Sequence, residues 1–278
     1  MSFLVLLLAL LVEKFSGWRH RLQRDSAWLE GLRGVERSTA LSTRPWLALL
    51  LVLLPPLLLL ALLLTLLQPI GYGLLALPLH LLVLVWSLGR GDVLRSIGPF
   101  RDAWRREDAQ AAYHVAERDL GVQAESDAEL FTEVQGVLTW QAFQSFFAVI
   151  FWYALLGPAA ALAYRLLALT VEHAGDGGLR ELAGRVRHAL DWLPARALVL
   201  SFALVGNFIA VSRILLQELL AWDIPAARLL AEAGAVAEDV NDKHLGAPGV
   251  VSLDALWQLL VRSAVLWYAL FALAALFL

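Results

Sequence analysis

Ionisable side chains stand against long apolar runs at four places in this sequence, and these are the residues that could do chemistry. Glu13-Lys14 closes the first run. Tyr164-Arg165 ends the fourth, with Glu172 shortly after. Asp191-Trp192-Leu193-Pro194-Ala195-Arg196 precedes the fifth, and Arg213 lies inside that run or near its end. An ionisable group at membrane depth costs about 2.5–3.5 kcal/mol on insertion scales, so such groups pair with one another or face a cavity. Two arrangements meet that demand. In one, Glu13, Arg165, Asp191 and Arg196 line a polar pocket at one membrane face, where two guanidinium forks grip a carboxylate or phosphate. Tyr164, Trp192 and Arg213 are then further candidates for contact with the ligand. In the other, Arg165 and Arg196 snorkel to lipid headgroups, and Asp191 caps a helix whose first turn holds Pro194.

Motifs for catalysis are scarce. The glycines at 175, 177 and 178 lack the lysine of a phosphate-binding loop. The six histidines (His20, His80, His114, His173, His188 and His244) include no pair at i, i+4 for a metal, and no H-E-x-x-H occurs. No G-x-S-x-G elbow is present. Cysteine is absent, which excludes a disulfide frame, a thiolate metal site and a Cys nucleophile. No catalytic residue, metal ligand or cofactor is named by these patterns. The formal charge of −3 comes without any basic tract interleaved with aromatics, so nucleic acid is not an expected partner.

The elements that must position these residues are membrane helices. Hydrophobic residues make up 60% of the chain and charged ones 17%, too little polar surface to coat a water-soluble globule of this length. The apolar residues are gathered into segments at about 3–12, 46–67, 72–88, 142–167, 197–216 and 256–278, separated by polar blocks, chiefly 13–45 and 89–141. Trp46 to Leu67 carries no charge and is about 33 Å long as a helix, enough for a core of about 30 Å. Pro55 and Pro56 near its middle predict a kink. The uncharged turn Gln68–Gly71 makes a hairpin with 72–88. Ser126 and Glu129 have capping-box spacing, so a helix begins after Ser126 and runs on toward the membrane. Residues 100–120 read as a charged helix in water or against headgroups. Gly157-Pro158 interrupts the aromatic-rich segment 142–167, giving a kink or a broken helix.

The expected fold is therefore all-α: a polytopic helical bundle in one membrane domain, residues 1–278, with cytoplasmic helical segments. The lipid bilayer is its first partner. Six of the 11 tryptophans (Trp18, Trp46, Trp86, Trp140, Trp192 and Trp222) lie near segment ends, as an interfacial belt does. The first segment, without a preceding basic residue or a small-residue cleavage site, reads as retained rather than cleaved. It is too short to cross alone unless tilted or extended.

Lysine and arginine placement makes both polar blocks cytoplasmic and the 68–71 turn external. Residues 171–196 would then lie outside, yet they carry Arg180, Arg185, Arg187 and Arg196. Either the charge rule fails there, or one of the two middle apolar segments dips and returns without crossing.

Three stretches resemble the AmpE family. They are the opening run that ends in Val12-Glu13-Lys14-Phe15, the segment from Phe151-Trp152 through Gly157-Pro158 to Tyr164-Arg165, and Leu190 to Arg196, which is similar to that family's D-W-x-P-x-R motif and precedes a run containing Gly206. The resemblance implies a multi-pass protein of the bacterial inner membrane. It also implies a regulatory or sensory role in β-lactamase induction, tied to the amidase AmpD and to cell-wall recycling, with a small anionic or cell-wall-derived ligand, AmpD itself or another membrane protein as partner. Pro194-Ala195-Arg196, with Tyr164-Arg165 upstream, also resembles the CobD/CbiB membrane enzymes of cobalamin synthesis, which attach an aminopropanol arm by forming an amide. Glu13-Lys14 stands where that family has Asp-Pro, its His-Pro-Val is absent, and Ala168, Thr170 and Val171 replace its polar Asn-Thr-Leu-Asp-Ser. That likeness implies a shared fold with a binding pocket rather than the synthase reaction. An amide-forming enzyme, or a transporter of cell-wall fragments, is the alternative to the regulatory role.

Overall fold

The computed structural model of the protein describes residues 4–9, 25–38, 41, 43–67, 75–89, 93–175, 177–238 and 243–277. Among these residues there is no strand. The helices, in chain order, are α1 (Ser26–Glu36), α2 (Pro45–Leu67), α3 (Ala76–Ser87), α4 (Val93–Ser96), α5 (Gly98–Arg105), α6 (Ala109–Val115), α7 (Asp127–Leu156), α8 (Pro158–His173), α9 (Gly178–Val205), α10 (Phe208–Glu218), α11 (Ala226–Ala237) and α12 (Ala247–Phe277). Four of them, α2, α7, α9 and α12, are long and apolar enough to cross a membrane. The chain is an all-α, polytopic membrane protein.

Local chemistry sets the breaks. The Ser126 hydroxyl accepts the Glu129 backbone N–H at 3.3 Å, satisfying one orphan donor of α7 at its start, and the Glu129 carboxylate reaches back to the N–H of Glu125, the residue before the cap, at 2.9 Å. It continues through a π-helical stretch, Phe143–Phe147. Gly157 then stops it. Its φ of 83° and ψ of −167° fall in a region open essentially to glycine alone, and Pro158 begins α8 at once. Residues 100–120 are not one helix: α5 and α6 are separated where Glu107 takes a φ of 59° and the Asp108 carboxylate caps α6 by accepting the Ala111 N–H at 3.0 Å. The helix α2 is assigned without interruption through Pro55 and Pro56.

The chain divides into two compact units. The first takes residues 1–90, 148–191 and 274–278; the second takes 91–147 and 192–273. In the first, Leu60 of α2, Val83 of α3 and Leu162 and Leu166 of α8 form one core cluster, flanked by Trp28 and Trp86. Leu49 of α2, Leu167 of α8 and Ala183 of α9 form a second, with Leu190 packed beside it. The outward face of α2 is a row of exposed leucines, among them Leu51, Leu58, Leu62 and Leu66, a surface suited to lipid. In the second unit Phe100 and Trp104 of α5 stack in series with Phe131 of α7, at centroid separations of 5.2 and 5.0 Å. Further along α7, Phe147 meets Trp267 of α12 edge-on at 5.2 Å. The Arg101–Asp254 ion pair joins α5 to α12 on the same side of that unit.

Candidate functional site

In the first unit, the leucine cluster that holds α8 against α9 places a tyrosine opposite a carboxylate. Tyr164 is fully buried and Asp191 is 3% exposed. The Tyr164 hydroxyl donates to Asp191 Oδ1 at 2.7 Å. Arg187 lies one turn before Asp191 on α9, where i, i+4 side chains share a face. Its Nε stands 3.5 Å from Asp191 Oδ2, with both side chains buried. One oxygen of the carboxylate is thus held by a phenol from α8, and the other faces a guanidinium on its own helix. Breaking a buried pair by removing one partner costs about 3–5 kcal/mol, because the remaining charge has lost its compensation.

The helix that carries this cluster is itself held in an unusual way. Pro194 lies inside α9, so the carbonyl four residues earlier, that of Leu190, has no helical donor. In a membrane interior that oxygen must find another. The indole N–H of Trp152, on the last turns of α7, donates to it at 3.3 Å.

In the second unit Arg196 does something quite different from gripping a ligand. Its Nε donates to the Leu219 carbonyl at 2.7 Å, its Nη1 to the Trp192 carbonyl at 3.1 Å, and its Nη2 to the carbonyls of Glu218 at 3.0 Å and Ala221 at 2.5 Å. Four of its five N–H groups therefore go to backbone oxygens, three of them at the end of α10, where a helix leaves its last carbonyls without partners. The guanidinium carbon lies 4.2 Å from the centre of the Trp192 ring, a cation–π contact, and Trp192 faces Trp222 at 6.4 Å.

Of the residues marked in the sequence, Tyr164 and Asp191 are brought together, and Trp192 and Arg196 are brought together. Arg165 is buried on α8, and Arg213 is exposed on α10. Glu13 lies outside the described residues. Asp191 is not a helix cap, because α9 begins thirteen residues earlier, at Gly178, and Pro194 is interior to it. Arg187 was not singled out from the sequence. Its i, i+4 spacing to Asp191 carries the signal, but only once 178–190 is seen to be helical.

A cleft of about 310 Å³ also opens in the first unit, lined by Val35, Glu36, Pro45, Ala48, Gly178 and Leu179 among others. Its anionic group, Glu36 Oε1, accepts the Gly175 N–H at 2.8 Å. None of the marked residues lines it. Among the described residues no three His, Asp or Glu side chains cluster as ligands for a metal ion.

The model of one family, described as "Regulatory signalling modulator protein AmpE", matches residues 1–212. The chain belongs to the AmpE family. No curated protein and no solved structure matches it. The match takes in Tyr164, Arg187, Asp191 and Arg196, and it stops one residue short of Arg213. In this AmpE chain the buried Tyr164–Asp191–Arg187 cluster belongs to the first unit, and Arg196 with the carbonyls it ties belongs to the second.

Proposed function

We propose that this AmpE-family protein works in the bacterial inner membrane as a modulator of β-lactamase induction, within the cell-wall recycling signal linked to AmpD. Its input is a small anionic ligand or a partner protein that competes for the charges around Asp191. The observation that carries this reading is a buried carboxylate held at 2.7 Å by the Tyr164 hydroxyl and paired with Arg187, whose Nε stands 3.5 Å away. The first contact is a charge-assisted hydrogen bond, and the guanidinium supplies the counter-charge. An anion that reaches Arg187 offers the guanidinium a second counter-charge in place of Asp191, so the same buried cation has two possible partners. A regulator needs such a two-state element and a ligand that favours one of its states. The Pro-Ala-Arg likeness to amide-forming enzymes supports a chemical role less well, since Arg196 is engaged with four backbone carbonyls.

The test is an induction curve. Cells deleted for this chain, and the same cells re-expressing it, are challenged with graded β-lactam, and β-lactamase activity is measured. The reading requires a shifted induction threshold on deletion, with restoration on re-expression. Superimposable curves in the two strains contradict it.

A further inference from the structure

The apolar stretch 197–216, which looks like one crossing in the sequence, folds back on itself within the second unit. The helix α9 ends at Val205. Gly206 has no space for a side chain: a Cβ there would lie 2.7 Å from the Ala237 carbonyl oxygen and 2.9 Å from that of Phe202. Asn207 then starts α10, its Oδ1 accepting the Ala210 N–H at 3.1 Å, while its own N–H donates to the Ala237 carbonyl at 2.9 Å. The beginning of α10 is thereby pinned to the end of α11.

The other end of α10 is fixed by Arg196, nine residues before the end of α9 and so about 14 Å back along its axis. Since Arg196 holds the Glu218, Leu219 and Ala221 carbonyls, α10 runs back beside the second half of α9, and α11, packed on α10 and α7, returns the chain to the level of Asn207. With 11 and 12 residues, these helices are about 16 and 18 Å long, well short of a core of about 30 Å.

The two helices have different outer faces. On α10 and just past it, Phe208, Ile209, Leu216, Leu220 and Trp222 are between 51% and 83% exposed, and they continue the exposed Leu200 and Leu204 of the membrane-crossing α9. Charges lie among them as well: Arg213 and Asp223 are exposed and Glu218 is half-buried. On α11 the outer face carries the exposed Arg228–Glu232 ion pair at 2.7 Å.

We propose that α10 is a lipid-contacting half-helix. Phospholipid acyl chains cover Ile209, Leu216 and Leu220, and the Arg213 side chain reaches for the phosphates. Two observations point to lipid as the occupant. The apolar face is continuous with that of a membrane-crossing helix. The terminal carbonyls of α10 are satisfied by an arginine, as a helix end in hydrocarbon requires, where a helix end in water would be solvated.

The chain has no cysteine, so single cysteines at Leu216, Leu220 and Arg228 can each carry a nitroxide in the full-length protein. The proteins are placed in phosphatidylethanolamine–phosphatidylglycerol vesicles, and collision rates with oxygen, which concentrates in lipid, and with a water-soluble nickel chelate are compared. The expected result is oxygen favoured several-fold at Leu216 and Leu220, and the nickel chelate favoured at Arg228. Labels at Leu216 and Leu220 that favour nickel show a water-facing helix. Labels closed to both reagents show a face covered by protein, either a partner or a second copy. Either outcome overturns the proposal.

Discussion

Tyr164 on α8 and Asp191 on α9 share a 2.7 Å hydrogen bond across 27 positions of sequence. Both groups are buried, and Arg187 completes the charge balance. Tyr164→Phe removes one donor to a charged acceptor, a loss of about 1.5–3 kcal/mol. Arg187→Ala leaves a carboxylate without its counter-charge and costs about 3–5 kcal/mol. Removing the charge from Asp191 as well, in Arg187→Ala with Asp191→Asn, recovers much of that loss, so the two changes are far from additive. Thermal unfolding in detergent measures all three. Additive losses would mean that the two side chains are not a pair.

Trp152 and Pro194 act on one oxygen. The Leu190 carbonyl loses its helical donor to Pro194 and gains the Trp152 indole. Trp152→Phe leaves that oxygen unsatisfied and costs about 1–3 kcal/mol. On a Pro194→Ala background the helix supplies its own N–H, and the same substitution costs clearly less. A double-mutant cycle of melting temperatures reads the difference. An equal cost on both backgrounds would deny the link.

Arg196→Lys keeps the charge and loses the planar fork. A lysine cannot reach the carbonyls of Trp192, Glu218, Leu219 and Ala221 together, so the turn after α10 loosens. Limited proteolysis in detergent should cut within residues 219–225 several times faster in the variant, while cuts elsewhere keep their rate. Unchanged cleavage there would show that Arg196 does not hold the turn.

Much of the fold was legible because its signals are local. The Ser126–Glu129 cap, the break at Gly157-Pro158 and the uncharged run 46–67 each follow from a few neighbouring residues, and all appear where their chemistry puts them. The site was half legible. Tyr164 and Asp191 stood out as polar groups beside apolar runs. Their bond could not be read, because it depends on how α8 packs against α9. Arg187 was hidden for a different reason. Residues 178–190 are polar enough to pass for a loop, and Asp191 with Pro194 imitates a helix start, so the i, i+4 register had no helix to sit on. Pro194 is tolerated in the interior of α9 only because a tryptophan from another helix replaces the lost donor, and no sequence window contains that partner. The division of 197–216 into α9 and α10 turns on Gly206 meeting the Ala237 carbonyl, a contact between residues 31 positions apart.

The most direct test of the proposed signal replaces the Asp191 carboxylate. Cells lacking the chromosomal copy carry either the native chain or Asp191→Asn, at equal levels in the membrane fraction, and β-lactamase induction is followed across a range of β-lactam concentrations. If the buried charges around Asp191 carry the signal, the Asp191→Asn strain follows the deletion strain and its induction threshold moves away from the native one. If its curve overlays that of the native chain while the deletion strain differs, the protein regulates by some other part of its structure, and a signalling role for Asp191 is contradicted.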